Sequence, residues 1–219
     1  MKIFFDIDGV IIDGWSSPDR RIRWDVTMEQ DLGICPEVFQ KAFFAPPRPG
    51  TASMMDACVK GEANLKHVLS ELLPSLGYRG SIDAFVDYWF SKDSNINQDV
   101  LEIVKRLKEV DGVTLYLATT QEHFRAAYLW HELGLKDLFA AIFYSASLGV
   151  TKSEPSYYTI VNAKIDIQPS ERPLFFDDMP TVITAARTAG WDAHVFNTVE
   201  DLLQNPRIAG VLDGRVGCI

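Results

Sequence analysis

The chain has 219 residues, a formal net charge of −9 and a hydrophobic content of 47%. A chain of this length buries one core with an inserted subdomain but is short for two full domains. The acidic balance argues against nucleic acid or an anionic membrane as the partner, because these are bound by clustered Lys and Arg. The three cysteines are far apart and lack CxxC spacing, which predicts a reducing cytoplasm and no structural zinc. The first residues lack a leader pattern, so we expect neither secretion nor membrane anchoring.

The first predicted element is the short apolar run Ile3-Phe4-Phe5, which ends on Asp6 and Asp8. Such a β-rich run indicates a buried strand, and buried strands of open α/β sheets carry their functional groups at their carboxyl ends. Two carboxylates this close repel each other unless a cation or a shared proton relieves them, so the pair favours a magnesium site. Turn formation or helix capping by the same aspartates is the alternative at this point.

The chain from about residue 15 to residue 108 is predicted to be helical. Leu65, Leu69 and Leu72 recur at helical spacing, and Ser81 is placed to cap a further helix. A helical block inserted after the first strand of a parallel sheet cannot join that sheet, so we expect it to stand above the carboxyl edge as a cap. The last helix of the block, near Gln98 to Lys108, is expected to return the chain to the sheet.

Short β-rich runs alternate with helical segments from Val113 onwards, which is typical of a parallel sheet with crossover helices. Helices are predicted from Glu122 to Leu133 and from Pro180 to Ala189, each before a glycine that can end it. The predicted strands are Val113–Ala118, Ala141–Tyr144, Pro173–Phe176 and Ala193–Phe196. The expected fold class is therefore α/β, a parallel sheet with helices on both faces and an inserted helical cap.

Polar side chains also stand at or near the ends of the later strands. Thr119 offers a hydroxyl that could hold a phosphate oxygen, although threonine also caps helices. Lys152 stands just before a helix, where, taken alone, a solvated lysine is the commoner case. Asp177 and Asp178 end another strand, and a second pair of like charges at one sheet edge requires a cation. The carboxyl edge of the sheet is thus the candidate functional site.

In chain order, these motifs resemble those of the haloacid dehalogenase (HAD) superfamily of hydrolases, over nearly the whole chain. The motifs are Asp6-x-Asp8, Thr119, Lys152 and Asp177-Asp178. The helical insertion after the first motif resembles the subfamily whose cap lies next to the first strand, and the spacing from Ser145 to Lys152 is similar to the branch of glucose-1-phosphate and related sugar phosphatases. The resemblance implies a Rossmann-like hydrolase core of residues 1–14 and 109–219 and a cap of residues 15–108.

The resemblance also implies catalytic roles. Asp6 would be the nucleophile that attacks phosphorus and becomes an aspartyl phosphate. Asp8 would protonate the leaving alkoxide and later activate water. Thr119 would hydrogen-bond the phosphoryl group, and Lys152 would neutralise the nucleophile and the charge that develops on the phosphoryl oxygens.

The implied cofactor is Mg²⁺. Asp178 would bind it together with the Asp6 carboxylate and the Asp8 backbone carbonyl. Asp177 would be a second ligand or would orient Lys152.

Two positions depart from the family pattern. Ser153 stands where proline usually follows the motif lysine, which predicts a looser turn and affects substrate positioning more than chemistry. Thr120 replaces the commoner asparagine of the second motif, and we expect it to alter contact with the substrate or the cap.

Arginines are concentrated beside the first motif in an otherwise acidic chain. Arg20, Arg21 and Arg23 would suit an anionic or polyhydroxylated leaving group, because a guanidinium binds such groups through two parallel hydrogen bonds. A solvated basic stretch anchored by Trp24 is the alternative.

These observations together predict a cytoplasmic, magnesium-dependent phosphatase of a small phosphorylated metabolite such as a sugar phosphate, as a monomer or homodimer. A haloacid dehalogenase is one alternative, but such enzymes lack the second aspartate because halide leaves without a proton, whereas Asp8 is present. A phosphomutase is another, although mutases of this cap type carry a Thr-Asp pair and a nearby histidine that Ile12-Asp13-Gly14-Trp15 lacks. A non-catalytic binding protein is disfavoured because none of the polar motif residues is lost.

Overall fold

The computed structural model describes residues 1–14 and 23–214. The strands are β1 (Lys2–Phe5), β2 (Thr114–Thr119), β3 (Ala141–Tyr144), β4 (Leu174–Asp177) and β5 (Asp192–Val195). They form one five-stranded sheet in the order β3-β2-β1-β4-β5, in which every neighbouring pair is parallel. The first strand of the chain is therefore the central strand, and β2 and β4 flank it.

The helices of the described residues are α1 (Met28–Leu32), α2 (Pro36–Phe43), α3 (Met54–Val59), α4 (Leu65–Ser75), α5 (Ile82–Lys92), α6 (Gln98–Lys108), α7 (His123–His131), α8 (Ser145–Leu148), α9 (Pro155–Lys164), α10 (Pro180–Thr188), α11 (Val199–Leu203) and α12 (Pro206–Leu212). A short 3₁₀ helix spans Leu135–Asp137. Within residues 1–14 and 23–214, none of the helices combines the length and apolar composition needed to cross a membrane.

The alternation of side chains along the central strand creates two apolar layers, because successive residues of a strand point to opposite faces. Ile3 and Phe5 pack in one buried cluster with Val104 of α6, whereas Phe4 packs in another with Tyr158 of α9. The side chains of Ile3, Phe4 and Phe5 are fully buried. Helices consequently cover both faces of the sheet, as expected, and leave its carboxyl edge as the place where polar side chains can gather.

A third apolar cluster belongs to the cap, defined here as helices α1 to α5 and the loops between them. It is rich in aromatic side chains, including Phe39, Phe85 and Trp89. Trp24 stacks on Trp89 with ring centroids 5.0 Å apart. Helix α6 spans the predicted Gln98–Lys108 and packs with the sheet instead of the cap. The domain limits at residues 14 and 108 stay predictions.

Two chain segments run between the sheet and the cap, and they lie side by side. The backbone N–H of Asp13 donates to the carbonyl of Asn95 (2.9 Å), and the N–H of Asn97 donates to the carbonyl of Ile11 (2.9 Å). Between these bonds, Ile12 forms an antiparallel bridge with Ile96. The outgoing and returning chains are therefore held together at the point where the cap leaves the sheet.

Arg125 of α7 joins the sheet domain to the end of the cap helix α5. Its guanidinium donates to the carbonyl of Phe90 (2.8 Å), to the hydroxyl of Ser94 (2.9 Å) and to the carbonyl of Asp93. The side chain is buried. A cation at this position satisfies carbonyls that the last turn of α5 leaves without intrahelical partners, and it interacts favourably with the helix dipole.

Most predicted elements are confirmed, and the differences are small and local. The strand Ala141–Tyr144 is as predicted, whereas the other three are shifted by one residue. Pro173 is excluded from β4 because proline has no N–H to donate to the sheet. The predicted helix from Glu122 is shorter than expected, because the chain leaves it after His131 and turns at Gly134, whose φ of +77° favours glycine.

We predict that Arg125→Met lowers the free energy of unfolding by about 2–4 kcal/mol, because hydrogen bonds to a charged group are lost and buried acceptors are left unsatisfied. Urea denaturation would measure the change. Arg106→Met, at an exposed position of α6, is the matched control and should have little effect. Equal midpoints for the two variants would contradict the anchoring role of Arg125.

Candidate active site

The candidate site lies at the carboxyl edge of the sheet, where three adjacent strands end. Asp6 follows β1, Thr119 ends β2 and Asp177 ends β4. Because β2 and β4 are the two neighbours of β1 in a parallel sheet, these three residues converge on one point. Lys152 reaches the same point from the turn between α8 and α9 and lies in contact with both aspartates.

Lys152 forms a buried bridge between two carboxylates. Its Nζ lies 2.6 Å from Asp6 Oδ1 and 2.6 Å from Asp177 Oδ2. The backbone N–H of Met179 donates to the other Asp177 oxygen, Oδ1 (2.9 Å), whereas that of Ile7 donates to Asp6 Oδ1 (2.7 Å), the oxygen that also contacts Lys152. Asp177 is thus in direct contact with Lys152, and its role as a metal ligand or in orienting the lysine stays a prediction.

Burial and neighbouring charges shift the pKa values of the ionisable groups at this edge. Burial raises the pKa of the Asp6 carboxyl well above its usual range, although the Lys152 charge acts in the opposite direction. Burial, together with the charge of Asp177, raises the pKa of Asp178 to about 6. Burial acts to lower the pKa of Lys152, but the charges of Asp6 and Asp177 outweigh it and raise that pKa. Three carboxylates thus share one lysine, and their negative charge is incompletely balanced.

The arrangement of carboxylates fits a divalent cation. Asp6, Asp177 and Asp178 each offer an oxygen, and these oxygens lie within 4.8 Å of one another. Carboxylate oxygens are the ligands that Mg²⁺ prefers. A Cβ on Gly9 would lie 2.2 Å from Asp178 Oδ2, so the absence of a side chain there makes room for this carboxylate. The side chain of Asp8 is outside the cluster, and coordination by its backbone carbonyl stays a prediction.

Two adjoining cavities open above this edge. The first cavity, of about 340 Å³, is lined by Asp6, Asp8, Thr119, Lys152 and Asp178, with Thr120 and Met179 at its walls. The cap cavity, of about 350 Å³, has an aromatic wall of Trp24, Phe44, Trp89 and Phe90 and also includes Asp8, Thr120 and Gln121. Asp8 is exposed and lines both cavities, so its carboxylate stands at their junction.

The predicted cap arginines are placed differently from the strand-end residues. Arg23 forms a two-point ion pair with the buried Asp25, through Nε to Oδ1 (2.9 Å) and Nη2 to Oδ2 (2.8 Å). Within the described part of the chain, Arg23 lines neither the first cavity nor the cap cavity. Arg20 and Arg21 lie outside the described residues. Substrate binding by these three arginines stays a prediction.

The turn that carries Lys152 is closed by side-chain hydrogen bonds. Thr151 donates its backbone N–H to Glu154 Oε1 (3.0 Å), and its hydroxyl lies 2.9 Å from that of Ser153. The hydroxyl of Tyr158 donates to the carbonyl of Lys152 (2.8 Å). These bonds restrain the backbone where proline usually stands, and the looser turn expected from Ser153 stays a prediction.

Sequence reasoning missed Gln121. Its side chain is buried, and its Nε2 donates to Asp8 Oδ2. Its position in the sequence could have indicated a place in the site, since Gln121 directly follows Thr119 and Thr120 at the end of a strand. Arg125 was also missed, because its partners lie about thirty residues away in sequence and on another element.

Comparisons with known proteins agree with this geometry. The sequence matches the haloacid dehalogenase-like hydrolase family over residues 3–190. Comparison with curated proteins finds no significant match. A HAD family enzyme from Bacteroides thetaiotaomicron, solved with magnesium and inorganic phosphate, is similar with a TM-score of 0.66 and 18% identity, over 89% of this chain and 92% of that chain.

Two further solved structures share the fold. A 2-haloacid dehalogenase from Pseudomonas syringae has a TM-score of 0.56 and 19% identity, over 90% of this chain and 86% of that one. A predicted β-phosphoglucomutase from Thermotoga maritima has a TM-score of 0.53 and 19% identity, over 98% and 97%. Identities this low show the fold alone, but the sequence match over residues 3–190 shows the family: this chain belongs to the haloacid dehalogenase-like hydrolases.

Proposed function

We propose that this chain is a magnesium-dependent phosphatase that hydrolyses a small phosphate monoester through an aspartyl-phosphate intermediate. The observation that carries the proposal is the position of Asp8. Its carboxylate stands between the first cavity, which holds Asp6 and Lys152, and the cap cavity. A proton donor at that junction lies where the oxygen between phosphorus and the leaving group would sit.

Asp6 would act as the nucleophile. One of its carboxylate oxygens would form a bond to phosphorus while the bond between phosphorus and the leaving oxygen breaks. The contacts to Lys152 and to the Ile7 N–H hold the carboxylate in a fixed orientation before substrate arrives. Such fixed geometry lowers the entropic part of the barrier.

Asp8 would handle the protons of both half-reactions. In the first, its carboxyl group gives a proton to the departing alkoxide, which leaves as the alcohol. In the second, its carboxylate takes a proton from the water that attacks phosphorus, and the bond from phosphorus to Asp6 breaks. Inorganic phosphate and the original Asp6 carboxylate result, so atoms and charge balance. Exposure of Asp8 to both cavities suits this exchange with substrate and water.

Lys152 and Thr119 would bind the transferring phosphoryl group. Lys152 carries a fixed positive charge at the base of the first cavity, and Thr119 lines the same cavity with its hydroxyl. Charge that develops on the phosphoryl oxygens is stabilised most by groups already oriented in a water-poor site. Lys152 meets this condition because Asp177 holds it.

Asp6, Asp178 and Asp177 would hold the Mg²⁺. When bound, the ion neutralises the phosphoryl charge and lets a dianionic substrate approach a cluster of carboxylates. Support for this comes from the all-oxygen cluster and from the unbalanced negative charge around Lys152.

The fold alone does not distinguish a phosphatase from a dehalogenase or a mutase, because solved structures with this fold include a 2-haloacid dehalogenase, a β-phosphoglucomutase by sequence and a HAD family enzyme in complex with magnesium and inorganic phosphate. The local chemistry favours the phosphatase. A halide leaves without a proton, so Asp8 at the junction of the cavities would have no task in a dehalogenase. The aromatic cap cavity of about 350 Å³ has room for a leaving group of sugar size, which fits a small phosphorylated metabolite.

We predict that hydrolysis of p-nitrophenyl phosphate is abolished by excess EDTA and restored by Mg²⁺, because the carboxylate cluster cannot accept a dianion without the cation. A colorimetric rate assay measures this directly. Turnover that is unaffected by chelation would remove the metal from the mechanism.

We predict that Gly9→Ala weakens Mg²⁺ binding by about 10- to 100-fold, because the new Cβ displaces the Asp178 carboxylate. Isothermal titration with Mg²⁺ would give the affinity. Gly190→Ala is the matched control, since Gly190 has nearly the same positive φ, +89° against +87°, but no atom within 4 Å of its Cβ position. Equal affinities in the two variants would show that the contact between the new Cβ and Asp178 does not control Mg²⁺ binding.

We predict that Asp6→Asn abolishes turnover, whereas Asp8→Asn slows it by about 10²- to 10⁴-fold, because only the first change removes the attacking atom. The near-isosteric amides keep the fold intact, which circular dichroism can confirm. Mass spectrometry after single turnover should find a phosphorylated peptide containing Asp6 in the wild type and in Asp8→Asn. An adduct on another residue, or an active Asp6→Asn protein, would overturn the mechanism.

A further inference from the structure

We propose that Gln121 is a positioning residue for Asp8, which fixes the carboxylate at the junction of the two cavities and assigns its proton to Oδ1. The inference deepens the proposed function and rests on it. It starts from one contact, in which Nε2 of the buried Gln121 donates to Oδ2 of the exposed Asp8. The two residues are far apart in sequence and meet because β1 and β2 are adjacent.

The support behind Gln121 is rigid. Its backbone carbonyl accepts from the N–H of Ala146 (3.1 Å) and from the hydroxyl of Ser145 (3.2 Å). The following residue, Glu122, caps α7 by accepting from the backbone N–H groups of Phe124 (2.8 Å) and Arg125. The backbone is thus held at Gln121 and at the next residue, and burial restricts the side chain itself.

The direction of the hydrogen bond follows from chemistry. Ionised Asp8 has only acceptor oxygens, so Gln121 must turn its NH₂ group and not its carbonyl oxygen towards Oδ2. An oxygen facing an oxygen there would repel. The amide therefore restrains an otherwise exposed carboxylate, which would otherwise sample several rotamers in water.

The same contact separates the two oxygens of Asp8. Oδ2 accepts from Gln121 in both protonation states, because a protonated carboxyl group still accepts through its carbonyl oxygen. The transferable proton then resides on Oδ1. In the first half-reaction Oδ1 gives this proton to the leaving oxygen, and in the second it takes one from water. A single oxygen serves both steps without rotation of the carboxyl group.

Gln121→Met tests this inference, because methionine keeps the size of the side chain but has no N–H. We expect the single-turnover release of an alkyl leaving group to slow by about tenfold or more, a loss typical of residues that orient a reacting side chain. Release of p-nitrophenolate should slow much less, since it needs little protonation. Gln121→Glu, which places a second carboxylate beside Asp8, should lose at least as much as Gln121→Met.

A double-mutant cycle separates positioning from packing. If Gln121 acts through Asp8, Gln121→Met has no further effect in an Asp8→Ala background. The side-chain NH₂ signals of Gln121 in an NMR spectrum should also shift on Asp8→Ala, whatever the activity. Additive losses, equal losses on both substrates, or unshifted NH₂ signals would overturn the inference. Absence of phosphatase activity in the wild type would instead reject the proposed function, and the NMR shift would still decide the contact.

Discussion

The bridge from Lys152 to Asp6 and Asp177 is the interaction on which the rest of the site depends. All three side chains are almost fully buried, and a charge in such a place is tolerated only when partners surround it. Removal of Lys152 would leave two buried carboxylates without a counter-charge at the sheet edge. Asp177 from β4 and the turn closed by Glu154 hold the lysine in this position.

The strand order of the sheet determines where the members of this bridge lie. Because β1 lies between β2 and β4, the side chains at its carboxyl end are confined by neighbours on both sides. Along β1, Phe4 packs on one face of the sheet and Ile3 and Phe5 pack on the other. Asp6, Thr119 and Asp177 follow where three adjacent strands stop, which is why the lysine and the carboxylate cluster occupy one small region. The cap then closes that region with a largely aromatic wall.

Much of this could be read from the sequence because it is local. Apolar runs that stop on Asp6, Thr119 and Asp177 define both the strands and the edge where they meet, so fold class and strand-end residues follow together. The contacts of Gln121 and Arg125 could not be read in this way, because each depends on which distant segment packs beside it. The turn at Ser153 could not be predicted either, because its hydrogen bonds follow no motif that is recognisable in the sequence.

The paired crossing between Asp13 and Asn95 has a consequence for how such a protein can change. The insertion leaves and re-enters the sheet domain at neighbouring points, joined by a backbone hydrogen bond of 2.9 Å. A segment whose two ends lie this close can be replaced by another, because the replacement barely disturbs the fold of the domain that carries it. The cap is in this sense a unit that could be exchanged by design while the bridge of Lys152 below it is kept.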